Sequence, residues 1–456
     1  MVFKLSLDVD IGFTKCARGK GRFLPTRLMV REQDPWSKVV LAWLMRRRKE
    51  GNVNSPNKQR KWFSLGSAAA TLSALALGAA AAGSGWTIVS SPNATTSNYL
   101  YSVAQASASD LWSVGYAYNQ TTRFDSTLTE HWNGRSWAIV PSPSPGTQRK
   151  CGSGYSGSVL TGVTAIAGSD VWATGWICSP YEGYPAQTLT EHWNGSQWTV
   201  ASSPNESEAD YSVLQAVAAV ATNDVWAVGN YQEGGGQYQW NTLIEHWDGT
   251  QWSIVESPNV AGADENYLNA VTAASSSDVW AVGYSNINAE IDVPLIEHYD
   301  GNAWSIVSSP YPAPSEFNEL YSVAAVSPSD VWAAGYENEN SQGQYGGALI
   351  EHWDGSAWSL VHAPTLGFAT TLYGLSARSS TDVWAVGYIW RVGTSYTPLT
   401  EHWDGTTWTD VSPPDPGKAA ELFGTLASSG TVWAVGAYST EAGDGLNNPQ
   451  TLTMKR

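Results

Sequence analysis

Two phrases recur along this chain of 456 residues, and no other feature restricts its fold as much. The first, Asp-Val-Trp-Ala-Val-Gly, begins at Asp110, Asp170, Asp224, Asp278, Asp330 and Asp382, and in worn form at Thr431. The second, Glu-His-Trp-Asp-Gly-x-x-Trp, begins with little change at Glu130, Glu191, Glu245, Glu297, Glu351 and Glu401, with Asn133 and Asn194 for Asp and Tyr299 for Trp. Successive copies of the first phrase lie 49–60 residues apart, a period that belongs to arrays of one supersecondary unit.

One copy, residues 268–307, reads as four short strands. LNAVTAA (268–274) runs into Ser275-Ser276-Ser277-Asp278, a cluster that favours a tight turn. VWAVGY (279–284) is the second strand, and Gly283 is expected to end its regular part. PLIEHY (294–299) and AWSIV (303–307) flank Asp300-Gly301, a strong hairpin signal. Four antiparallel strands per repeat, with two short turns and two longer connections, are the unit of a β-propeller. The expectation is therefore an all-β, seven-bladed propeller over 83–456. Its seventh unit lacks the Asp-Gly-x-x-Trp strand, while GSGWTIVSSPN (83–93) matches the end of every other unit. That amino-terminal strand should complete the last blade and close the ring, removing the exposed edges of an open sheet.

The strand Trp-x-Val-Gly followed by Asp-Gly-x-x-Trp resembles the repeats of photosystem II assembly-factor-like propellers and, more distantly, of Asp-box and kelch propellers. The resemblance covers residues 84–456 and departs from the Asp-box pattern, because Glu-His-Trp replaces Ser-x-Asp. It implies a scaffold, and scaffold does not fix activity.

The first 82 residues differ in kind. They hold 15 of the 24 Lys+Arg and 5 of the 41 Asp+Glu, so the body carries 9 basic against 36 acidic groups, net −27. Such a body repels phosphate backbones, which excludes nucleic acid as a partner. Residues 46–62 are basic, and 63–82 are apolar, Ala/Leu-rich and end in Ala80-Ala81-Ala82. That order of basic, apolar and small residues marks a secretory signal, or an uncleaved membrane anchor of about 20 residues. Residues 45–82 fill this role from Met45, leaving 1–44 as a misassigned start or a cytoplasmic tail. A secreted, extracellular, monomeric propeller is expected, or one anchored with the propeller outside. In an oxidising compartment Cys151 and Cys178 are candidates for a disulfide.

The repeat accounts for 19 of the 25 Trp, which read as packing between blades. Six of the seven His follow Glu (His131, His192, His246, His298, His352, His402). Neighbours on a strand point to opposite faces, so Glu and His of one blade cannot share a metal ion. Each is expected to satisfy a neighbouring blade, and the repeated Asp before Val-Trp to accept backbone N–H bonds in its turn. No metal, cofactor or catalytic residue is assigned. The body has Arg123, Arg135, Arg149, Arg378, Arg391 and Arg456, with no triad for a sialidase-like site, and only His362 for a copper site. The connections after the second and fourth strands vary and share one face, where function is expected. They carry the candidate ligand-binding residues Trp176, Trp240, Trp390, Tyr231, Tyr345 and Tyr396. Aromatic planes among Asn, Gln, Asp and Glu suit a carbohydrate or cell-envelope ligand, or a cell-surface protein. A glycoside hydrolase or lyase, and an assembly scaffold, are the alternatives.

Overall fold

A computed structural model describes residues 85–146, 157–178, 186–206, 209–234, 239–287, 291–312, 317–338, 346–364, 366–367, 369–391, 395–441 and 445–456. All belong to one compact unit within 66–456. Among the described residues every regular element is a strand. After β1 (Thr87–Val89), blade one is β2 (Ser97–Ser107), β3 (Asp110–Asn119), β4 (Phe124–Trp132) and β5 (Trp137–Ile139), hydrogen-bonded in that order. The same meander repeats as β6–β9 within 158–201, β10–β13 within 209–255 and β14–β17 within 263–306. It continues as β18–β21 within 318–360 and β22–β25 within 369–410. Blade seven is β26 (Ala419–Ser428), β27 (Thr431–Ser439), β28 (Gln450–Lys455) and, as its fourth strand, β1. Thr87, Ile88 and Val89 pair antiparallel with Lys455, Met454 and Thr453, as the matched sequence ends require.

The first strand of each blade packs against the first strands of its two neighbours, and β2 also packs against β26, so these strands surround a central channel. Backbone staples at the variable face join each third strand to the next blade. Tyr211 bridges Ala186, Glu265 bridges Trp240, and across the closing seam Asn98 N–H donates to Pro449 O at 2.8 Å.

Gly283 does not end its strand, which runs on to Ile287. It faces Leu268 at a bulge, and a Cβ there would lie 1.9 Å from the carbonyl oxygen of Tyr267. All seven glycines of this set face a leucine at the same bulge, for instance Leu100–Gly115 and Leu422–Gly436. One residue of each first strand is thereby left outside the pairing and re-aimed.

Each interface is filled by indoles. Trp112 of blade one lies 4.7 Å from Trp193 and 5.2 Å, edge-on, from Trp198, both of blade two. Trp433 meets Trp132 at 5.0 Å and Trp137 at 5.6 Å, closing the circle. The paired roles of Glu and His divide differently from expectation. Glu does reach the neighbouring blade: Ser91, Ser203, Ser257 and Ser309 hydroxyls donate to Glu130, Glu245, Glu297 and Glu351 at 2.5–2.9 Å. His instead stays within its own blade, its Nε2 2.8–3.0 Å from the repeated Asp, as in His246–Asp224. Its ring lies against the Trp of the same blade, with His298 4.1 Å from Trp280. The repeated Asp accordingly is an anchor for side chains, since Asp224 and Asp278 also accept the Nε1–H of Trp226 and Trp280. The backbone-capping role belongs to the Asp of Asp-Gly. Asp248 accepts the Thr250 hydroxyl and the N–H groups of Gln251 and Thr250, and these hold its carboxyl down at about 2.

Candidate functional site

The seven re-aimed residues are Tyr101, Thr161, Gln215, Asn269, Tyr321, Tyr373 and Phe423, all half-buried around the channel. They differ from blade to blade while the Leu and Gly beside them do not. The polar members brace the ring: Thr161 donates to Leu214 O at 2.9 Å and Asn269 to Leu320 O at 2.8 Å. The aromatic members form a continuous wall over blades five, six, seven and one. Ring centroids are 5.1 Å apart for Tyr321–Tyr373, 5.6 Å for Tyr373–Phe423 and 5.2 Å for Phe423–Tyr101.

Towards the variable face the wall widens through the residue before Leu and the residue after Gly. Tyr99 stacks on Tyr116 at 4.9 Å and Tyr267 on Tyr284 at 4.8 Å. Trp240 sits between Tyr211 and Tyr267, at 5.8 and 5.6 Å. Tyr396 packs on Tyr388 at 4.8 Å, and Tyr388 in turn reaches Tyr373. Trp240 and Tyr396 thus join the aromatic rim. Trp176 packs beside Tyr211 and the buried Cys178, at the position after Gly in blade two. Tyr231 packs instead against the core between blades two and three, where burial, Glu206 and Glu233 raise its hydroxyl. Trp390 ends the second strand of blade six, paired with Ala369. Tyr345 and Cys151 lie outside the described residues. Cys178 is fully buried and disulfide-bonded.

The carboxylates of the mouth were not singled out by the sequence. Tyr321 donates to Glu319 Oε2 at 2.5 Å, and Asn286 Nδ2 donates to Asp292 Oδ1 at 2.6 Å. Burial, then the negative charge of Asp292, pushes the Glu319 carboxyl well above the usual range. The charge of Glu265 raises it further. Burial, then neighbouring acids, also keeps Tyr284, Tyr321 and Tyr373 neutral as hydroxyl donors. The signal for these residues existed in the sequence as variation at two fixed places of the repeat. It could be used only once the bulge showed that both places face the channel.

A polar cleft of about 340 Å³ opens on the same face at the closing seam, lined by Asn93, Gln120, Glu441, Asn448 and Gln450. Among the described residues no group of three or more His, Cys, Asp or Glu is placed to hold a metal ion.

No family model matches the chain, and no curated protein matches it by sequence. Among solved structures, a polysaccharide lyase of the ulvan lyase type, bound to a -[GlcA(1-4)Rha3S]- ligand, is 9% identical with TM-score 0.51. That match covers 80% of this chain and 93% of the lyase. YCF48 bound to a D1 peptide is 13% identical, TM-score 0.46, covering 81% and 96%. Trypanosoma rangeli sialidase in complex with sialic acid is 11% identical, TM-score 0.46, covering 80% and 55%. At such identities the likeness is one of fold: the chain is a tryptophan-rich, repeat-built β-propeller.

Proposed function

We propose that this propeller is a secreted, non-catalytic binding protein that takes a carbohydrate or cell-envelope ligand on its variable-loop face. The observation that carries the reading is the aromatic wall from Tyr321 through Tyr373 and Phe423 to Tyr101, opening onto Trp240 and Tyr396. Flat faces of this kind stack on the apolar faces of sugar rings, and the neighbouring Tyr hydroxyls, Asn and carboxyls supply directed hydrogen bonds.

The test is binding of a soluble polysaccharide panel to the full chain and to Tyr373→Ala and Trp240→Ala. Loss of about tenfold or more in affinity in either variant is expected for a stacked sugar. Undiminished binding in both variants would remove the mouth as the site, and release of reducing or unsaturated sugar ends would replace binding by catalysis.

A further inference from the structure

Resting on that reading, the layout of the rings decides how the ligand lies. Two separate aromatic platforms face the mouth. The first is Tyr211, Trp240, Tyr267 and Tyr284, joined ring to ring at 5.8, 5.6 and 4.8 Å. The second runs from Tyr321 through Tyr373 and Phe423 to Tyr101, and from there to Tyr116 and Tyr99 at 5.8 and 4.9 Å. No ring contact joins Tyr267 or Tyr284 to Tyr321, although their blades are neighbours.

The ring of seven blades fixes where the platforms stand. Trp240 opens the third strand of blade three and is bridged to Glu265 of blade four, so the first platform is centred on the boundary of these two blades. In a ring of seven, that boundary lies diametrically across the channel from blade seven, which carries Phe423. Phe423 is the middle of the second platform, in contact with Tyr373, Tyr101 and Tyr99. The two flat surfaces are therefore opposed. At the depth of Phe423, the side of the first platform holds Gln215 and Asn269 instead of aromatic rings. Asn269 is spent on Leu320 O, whereas the half-buried Gln215 carboxamide has no hydrogen-bond partner among the described residues. It is a donor and acceptor open to a ligand hydroxyl.

A small sugar would cover one platform and leave the other wet. A chain that touches both makes its second contact intramolecularly, which raises affinity without any new kind of interaction. An extended chain of β-linked pyranoses presents flat apolar faces along its length, as two opposed platforms require. We infer that the mouth binds a linear polysaccharide chain laid across the channel, from the Trp240 platform to the Phe423 platform, with Gln215 beside the crossing.

The experiment is calorimetric titration of the full chain with the dimers and hexamers of cellulose, chitin and mannan. At least one hexamer should bind about tenfold or more tighter than its own dimer. Trp240→Leu and Phe423→Leu each keep an apolar side chain and remove a flat face. Each should lower the affinity of that hexamer about tenfold or more, to near the value of its dimer. The comparison of lengths needs no variant, so it decides even where a substitution disturbs the channel. A dimer and hexamer of equal affinity, or a hexamer weakened by only one of the two substitutions, overturns the crossing and leaves the carbohydrate reading on one platform. Failure of every oligomer to bind overturns this inference, and failure of the whole polysaccharide panel overturns the carbohydrate reading with it. Decaproline that displaces the hexamer would assign the mouth to a proline-rich protein segment and overturn the glycan.

Discussion

Blade seven and the other six solve one packing problem with different side chains. Where six blades place Glu, His and an aromatic residue (Trp in five, Tyr299 in blade four) on the third strand, blade seven has Met454, Lys455 and Arg456. Met454 fills the place of Glu and is fully buried. Lys455 replaces His over its own blade's Trp433, 5.4 Å from the ring centroid, and Arg456 replaces the third-strand indole over Trp384 at 4.8 Å. What recurs in all seven is a covered Trp face. The carboxyl is an option, present opposite a serine of the preceding blade at five interfaces and opposite Ala363 at Glu401, and replaced by Met454 where Pro413 stands in the serine's place.

The sharpest way to break the comparison is at the seam, where blade seven depends on a strand from the other end of the chain. Deleting residues 85–93 removes Trp86, which lies edge-on to Trp384 at 5.9 Å, and leaves β28 as an open edge. Loss of one buried indole alone costs about 3–5 kcal/mol, so thermal unfolding should move down steeply and aggregation should rise. An unchanged melting temperature would mean that the ring does not depend on this closure.

Acidity separates the two kinds of interface next. Burial pushes Glu130, Glu191, Glu245, Glu297 and Glu351 up to about 8, against an unfolded value of 4.5. The folded chain therefore holds protons that the unfolded chain has released. The stability from these groups is whole below about pH 4.5, declines as pH rises and is lost above about 8, at up to about 1.4 kcal/mol per pH unit per proton. Urea midpoints should fall between about pH 5 and pH 8.5. The interface of blades six and seven, with Met454 in place of Glu, should show no such decline in its local hydrogen exchange. A midpoint that rises over this range would mean that the glutamates are ionised in the fold.

The architecture was legible because packing forces repetition: the Trp positions, the Asp-Gly turns and the displaced first strand all stand in the sequence. The site was legible only in part. Trp240 and Tyr396 were visible as aromatics in variable connections, but Tyr321, Tyr373 and Glu319 lie inside strands that looked like scaffold. Their direction depends on a bulge whose only trace is a Gly opposite a Leu. Tyr231 shows the converse, an aromatic in a variable stretch that turns into the core. The Asp and His of each repeat were assigned to the wrong partners because pairing across 20–22 residues within one blade leaves no local signal.

Removing a single serine is a smaller perturbation than either change above. Ser257→Ala leaves Glu297 without its 2.9 Å donor from the preceding blade, and should cost about 1–3 kcal/mol. The loss should be larger at pH 8.5 than at pH 5, where the protonated carboxyl needs the hydroxyl less. A loss equal at both values would make the serine a matter of packing.

The smallest effect is also the most discriminating, because blade six already carries the defect. Ala363 stands where other interfaces have serine, both oxygens of Glu401 are buried without a partner, and the exposed aliphatic residue of the fourth strand is replaced by Asp410. Burial, then the Asp410 charge, raises Glu401 to about 8. If the carboxyl is an option, then Glu401→Met, copying Met454, should stabilise the chain by about 1 kcal/mol at pH 8 and by less at pH 5. Ala363→Ser should achieve a similar gain by the other route, supplying the missing donor for about 0.5–1.5 kcal/mol. The two substitutions repair one fault, so their combination should gain less than their sum. Destabilisation by Glu401→Met at both pH values would show that this carboxyl is required where it stands, and that blade seven is an exception and not a second solution.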